Sequence, residues 1–410
     1  MTPRRPLNPT ATAGLAAIGL GSLCGGVAQA QVADDFDPRA HLLGDPGGLR
    51  SAAEDHGFAL DANLTGDHSI VLNGGRAPRA TATRYLAEAG VTVDTDAAFG
   101  LPGGTLRVAY VGFHGDNGNL DSGDFQTYSN IDAEPFDALY SVWYRQRLFD
   151  ERLSIRVGKV DANTDFAYVD NGGGFIHSSP GFSPTIQGFP SYPDPATSMS
   201  VFLRPHGGFY LGAGVYDGAT QAGVRTGTRG PSTFFDDDPG GLFWIGETGL
   251  EYAGEGRDGR IGFGAWRHTG DFERFAGGTA EHADGVYAVW DQTVYADSAS
   301  PREAGVFAQY ALADEAVSEA THHAGLGVEI QSLLADRPND VSGLMASYVA
   351  FSDAPGAGFR DDHELAIEAF HAIRATGWLT LKPDLQYIVH PGGTGLDDAT
   401  VATLRARIAL

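Results

Sequence analysis

Apolar and polar residues alternate with a period of two along most of this chain. Leu106, Val108 and Tyr110 alternate with Arg107 and Ala109; Leu153, Ile155 and Val157 alternate with Ser154, Arg156 and Gly158. Leu242, Trp244, Thr248 and Leu250 stand against Glu247 and Glu251, and Ala324, Leu326, Val328 and Ile330 against His323, Glu329 and Gln331. The same holds for Leu365, Ile367 and Ala369 against Glu364, Ala366 and Glu368, and for Leu404, Ala406, Ile408 and Leu410 against Arg405 and Arg407. A period of two places each set on its own face of a β-strand. Segments of this kind fall near 58–66, 83–94, 105–114, 138–147, 152–160, 198–204, 209–217, 242–253, 260–270, 284–294, 303–312, 322–331, 341–352, 363–374, 378–389 and 400–410. That is about 16 strands, the size of a barrel with an aqueous channel.

The polar faces decide between two β architectures. A soluble antiparallel sheet also has a wet face. Here Gly and Ala are interleaved with the charges, and no segment between strands reads as a strong amphipathic helix. A closed sheet, apolar outside and ionic inside, explains this better than a sandwich, whose core needs larger apolar residues. Connections alternate between short (148–151, 205–208, 375–377) and long (115–137, 161–197, 218–241, 271–283). With both chain ends in the periplasm, the short turns are periplasmic and the long loops external. The expected fold is all-β: a transmembrane antiparallel barrel over 58–410, preceded by a periplasmic leader (31–57) with a short helix.

Residues 1–30 read as an export signal. Arg4 and Arg5 form the positive region, Ala11 to Val27 is small and apolar, and Ala28-Gln29-Ala30 is an A-x-A cleavage site. The only cysteine, Cys24, lies inside it, so the exported chain would hold no disulfide. Loss of two arginines and no acid takes the net charge from −25 to −27. Such a surface repels nucleic acid. No apolar run long enough for a membrane helix follows the signal.

The segment 161–197 is long, structureless, and rich in Gly, Pro and aromatic residues, which marks a functional loop. Its natural place is inside the barrel, narrowing it. Arg145, Arg147, Arg156 and Lys159 lie on the strands before it; Asp161, Asp165, Asp170 and Asp194 lie in or beside it. Facing rows of opposite charge would set a transverse field and replace water around a polar solute. The alternative is that these charges tie the loop to the wall. Glu247, Glu329 and Glu368 sit on predicted lumen faces. Phe175, Phe182, Phe189 and Tyr192 offer stacking faces for a permeant or anchor the loop as a plug. Trp143, Trp244, Trp266, Trp290 and Trp378 read as interfacial girdle residues, with core packing as the alternative.

Particular stretches resemble the carbohydrate-selective porins of the OprB type, from Gram-negative outer membranes. They are LLGDPGGLRSAAEDHG (42–57), SIVLNGG (69–75), RVGKVDANTDFA (156–167), SSPGFSPTI (178–186) with FPSYPDPA (189–196), GVYDG (214–218) and LKPDLQYIVHPGG (381–393). The resemblance implies a 16-stranded outer-membrane barrel through which sugars diffuse. The chain differs at its end, Arg407-Ile408-Ala409-Leu410, which keeps the alternation without the aromatic usual there.

The expectation is a passive channel for neutral sugars such as monosaccharides, embedded in outer-membrane lipid and lipopolysaccharide, as monomer or homotrimer, with no cofactor, metal or catalytic residue. An exported polysaccharide hydrolase is the first alternative, since paired carboxylates abound, but no G-x-S-x-G, H-E-x-x-H or P-loop occurs. DNGNLDSGD (116–124) and DDDPGG (236–241) read as solvated turns rather than calcium loops. A non-conducting scaffold or adhesin barrel is the second alternative.

Overall fold

The computed structural model describes residues 37–222, 241–254 and 257–410. The signal segment, the start of the leader and most of DDDPGG lie outside them. Sixteen strands form one closed antiparallel barrel: Phe58–Asn73, Thr81–Asp94, Gly104–Gly115, Phe136–Leu148, Leu153–Val160, Ala196–Leu203, Phe209–Asp217, Leu242–Tyr252, Gly259–His268, Ala283–Ala296, Glu303–Ala313, Ala320–Gln331, Val341–Phe351, His363–Arg374, Leu379–Val389 and Ala399–Ala409. They are called the first to sixteenth strands below. Each pairs with its chain neighbours, and the first closes on the sixteenth from Asn63 opposite Ala409 to Asn73 opposite Thr400. Closure leaves no sheet edge, which a membrane-spanning sheet requires.

The two faces are inverted relative to a soluble protein. Leu326 (62% exposed), Leu344 (53%) and Leu404 (52%) stand on the outside, while Glu364 and Glu368 (both 0%) and Arg107 (7%) are enclosed. The alternation therefore sorts apolar side chains to lipid and ionic ones to the lumen.

The strand map from the sequence matches segment for segment. The main difference is the first strand, which runs on to Asn73. The sequence map ends this segment near residue 66, but the alternation continues: Asp67 faces inward and accepts from Arg405 Nε at 2.7 Å, and His68 faces outward. SIVLNGG is therefore the outer end of that strand and the turn that follows.

The leader carries the expected helix, Leu49–Asp55. It docks beneath the closing seam, where Arg50 donates to the carbonyls of Leu410 (2.8 Å) and Leu60 (2.7 Å). The amide of Leu42 also donates to the carbonyl of Ala409 at 2.8 Å. No helix among the described residues is long and apolar enough to cross a membrane, which says nothing of strands.

Candidate functional site: a loop clamped inside the barrel

The fifth strand ends at Val160, and the chain turns inward. Asp161 caps the turn, its carboxylate accepting from the amide of Asn163 (2.9 Å) and from the Tyr140 hydroxyl (2.5 Å). Burial pushes the Asp161 carboxyl above its ordinary range, and the Tyr140 bond opposes that rise. The amide of Ala162 donates to the carbonyl of Pro190 at 2.9 Å and closes the neck of the loop.

The segment 161–195 then lies across the lumen, held mainly through its backbone. Glu247 on the eighth strand accepts the amide of Ala167 (3.0 Å). Asp291 on the tenth accepts those of Asp170 (2.7 Å) and Asn171 (2.8 Å). Glu329 on the twelfth accepts that of Gly174 (2.6 Å), and Glu368 on the fourteenth those of Ile176 (2.7 Å) and His177 (3.0 Å). A buried backbone amide must find an acceptor, and a carboxylate is a strong one. One carboxylate from every second strand thus grips successive stretches of the loop. Wall donors take loop carbonyls in return: Arg260 bonds Tyr168 (2.7 Å), Gln309 bonds Pro180 (3.1 Å), and Lys382 bonds Gly174. Glu247 is itself fixed by Arg260 and by the hydroxyls of Tyr210 (2.7 Å) and Tyr287 (2.8 Å).

The four loop aromatics are packed into this structure. Phe175 meets Phe370 and Phe307 edge-on at 5.0 and 5.8 Å between ring centroids. Phe182 packs on Phe189 at 5.0 Å, and Phe189 on the wall residue Phe243 at 5.7 Å. Tyr192 lies against Phe136 and donates to the carbonyl of Ile131 at 2.8 Å.

That last bond reaches a second inward loop, 116–135, within the connection 115–137 that the sequence places outside, with 116–124 as a solvated turn. Glu364 accepts the amides of Phe125 (2.7 Å) and Gln126 (3.0 Å), and Ser129 donates to Asp67 (2.8 Å). The amide of Asn130 donates to the carbonyl of Ile176 at 2.7 Å, joining the two loops. Its small polar residues are the ones that satisfy buried partners, so composition alone suggests a wet turn. Phe125, Tyr128 and Ile131 were the available signal.

The carboxylates that grip 161–195 lie on the eighth to fourteenth strands. Basic side chains line the wall from the sixteenth strand round to the fifth. Arg107 forks onto Asp61 at 2.8 and 3.0 Å. Arg145 and Arg156 are cross-strand neighbours, and their guanidiniums lie 5.8 and 4.6 Å from the Trp143 ring centroid. Arg156 is tied to the loop through Asp165 (3.1 Å) and Thr164 (2.9 Å). Arg145 forms no ion pair among the described residues. Arg147 lies at the periplasmic rim, bonded to Glu151 at 2.9 Å.

Two sequence assignments are corrected. Lys159 stands with Val157 on the outward face, opposite Arg156, and donates to the carbonyl of Leu139 at 3.0 Å, so it does not line the lumen. Trp143 and Trp266 are not girdle residues: they share the inward face with Arg145 and His268 and pack with the lumen cluster. Trp244 and Trp290 do face outward.

The profile described as "Carbohydrate-selective porin, OprB family" matches residues 79–410. Porin B of Pseudomonas aeruginosa is 23% identical over 455 residues, covering 95% of both chains. The high-pH structure of Pseudomonas putida OprB superposes with a TM-score of 0.81 at 19% identity, over 92% of this chain and all of that one. Its low-pH structure gives 0.60 at 16% identity, with the same coverage. The family match spans most of the chain, and the barrel topology agrees with it. The chain belongs to the carbohydrate-selective porins of the OprB family, passive sugar channels of the Gram-negative outer membrane.

Proposed function

We propose that this porin passes neutral monosaccharides through the space left between the clamped loop 161–195 and the arginine-bearing wall of the first to fifth strands. The observation that carries this reading is the row of amide-to-carboxylate bonds from Glu247 to Glu368, which fixes the loop inside the lumen. Arg145 offers guanidinium donors that no described carboxylate occupies, and a planar, rigid donor set suits sugar hydroxyls. Weak contacts at several positions let the sugar leave as readily as it enters. The channel performs no chemistry, and flux follows the concentration gradient.

In this reading Glu247, Glu329 and Glu368 act by positioning the loop. Phe175, Phe182, Phe189 and Tyr192 stiffen it, and Arg145, Arg156 and Arg107 face the permeant. Export proceeds through a cleaved signal at 1–30, and the finished barrel is bathed by outer-membrane lipid and lipopolysaccharide. Each chain encloses its own path, whether one copy or three stand together.

Liposome swelling with sugars of graded size tests the proposal. Glucose-sized solutes are expected to enter rapidly and trisaccharides to be excluded. Equal rates for both would refute a constricted path.

A further inference from the structure

A groove of about 760 Å³ opens on the outer wall of the barrel and not in the lumen. It crosses the eighth to eleventh strands at their extracellular ends. Its floor is one row of the sheet, in which Gly246 pairs with Ala265, Ala265 with Val286, and Val286 with Leu312. Two adjacent positions on a lipid-facing surface thus lack bulk. Trp244 projects beside them, 49% exposed, as does Val286, also 49% exposed. The next row toward the exterior is Trp244, Arg267 and Asp284. Arg267 bonds Asp284 at 2.5 Å and keeps a half-exposed side chain; the His282 ring lies 3.9 Å from the same carboxylate. Asp314 also borders the groove.

This order of chemistry, an apolar slot capped by a guanidinium at the level of an outward tryptophan, matches an amphiphile lying along the barrel wall. Its volume falls within the range of ordinary ligand pockets. Trp at the interface marks the depth at which headgroups begin. The bond to Asp284 engages one of the five donors of Arg267 and fixes its direction; phosphate is a partner for the rest. Asp284 and Asp314 make the mouth mixed in charge, so a phosphate held there would also have access to a bridging divalent cation.

We propose that this groove seats an acyl chain of lipopolysaccharide, with Arg267 on a headgroup phosphate. The inference rests on the outer-membrane lipid environment assigned above and adds a specific seat to it. It is independent of the sugar path, because every residue invoked faces away from the lumen.

The test uses the full-length barrel extracted in mild detergent, with bound lipopolysaccharide counted by native mass spectrometry. Gly246→Leu fills the slot. A Cβ at that position meets only the Gly212 carbonyl, at 3.7 Å, so the barrel accepts it. Arg267→Gln removes the cap and keeps the shape. The wild type is expected to retain lipopolysaccharide, Gly246→Leu at least tenfold less, and Arg267→Gln several-fold less, with dephosphorylated lipopolysaccharide retained no better by the wild type than by Arg267→Gln. Equal retention by all three proteins would overturn the proposal. So would loss of a cross-linked oligomer in Gly246→Leu, which would make the groove a contact between copies. Swelling assays on the same preparations separate this from the channel reading: absent sugar flux in the wild type sinks that reading and leaves the lipid count to stand on its own.

Discussion

Glu368→Gln is the sharpest single perturbation of the clamp. Glu368 is fully buried, and its two oxygens take the amides of Ile176 and His177 at 2.7 and 3.0 Å. A glutamine keeps one acceptor, and its NH2 group faces the other amide, donor against donor. A hydrogen bond to a charged partner contributes about 1.5–3 kcal/mol, and an orphaned buried donor costs about 1–3 kcal/mol. The docked state of the segment around 174–178 should lose roughly 2–4 kcal/mol, within the range for these effects. At about 1.4 kcal/mol per tenfold, its ratio of docked to undocked forms falls by roughly 30- to 700-fold. Glu247 and Asp291 still hold the first half of the loop, so the release is local. Single-channel recording in planar bilayers is the assay. The variant should show a larger mean conductance with added flicker, and trisaccharides should begin to enter liposomes. Traces and size cut-off identical to wild type, for Glu368→Gln and for Glu329→Gln with Glu368→Gln in an assembled barrel, would refute the clamp.

Other expectations follow from the same geometry. Arg156→Ala removes the ion pair to Asp165 and the bond to Thr164 and should alter both ion selectivity and sugar flux, whereas Lys159→Ala, on the outer face, should leave both unchanged in the same recordings. Arg145→Ala should slow monosaccharide swelling with little change in barrel stability, measured by heat-induced mobility shift on gels. Phe175→Ala empties a site between Phe307 and Phe370 and should weaken loop packing by about 3–5 kcal/mol, read as a raised size limit. Burial pushes the His177 imidazole in the loop down to about 3 from 6.5, with the neighbouring His323 adding to the effect. Its neutral form is thus favoured in the docked loop. The corresponding stabilisation is complete above about pH 6.5 and is lost as pH falls toward 3. Conductance measured from pH 7.5 down to 4 should rise, and His177→Asn should flatten that rise; a fall in both proteins would contradict the sign.

Much of this architecture is visible in the residues, because a period of two survives even where glycine and charge interrupt it. The outer and inner faces of the fourteenth strand can be read directly from Leu365, Glu364, Ile367 and Glu368. The same parity rule, carried one residue further, separates Lys159 from Arg156 and places Trp143 beside Arg145. A clustering of charge by position, without face, is what misassigned them. The clamp is less legible for a physical reason. Glu247, Glu329 and Glu368 are recognisable as lumen acids, but their partners are backbone amides, which leave no side-chain signature. The inward course of 116–135 is hidden similarly, since Ser129 and Asn130 look like loop surface until their buried partners are seen.

The central claim is that the amides of 161–195 are bonded to the barrel wall and not to water. Hydrogen exchange of the refolded barrel in detergent, followed by mass spectrometry at peptide resolution, reads this directly. Peptides spanning Ala167 to His177 are expected to exchange orders of magnitude more slowly than an unstructured chain and to lose that protection on Glu247→Gln, Glu329→Gln and Glu368→Gln substitution together. Exchange of these peptides at the free-chain rate in the wild-type barrel would contradict the account.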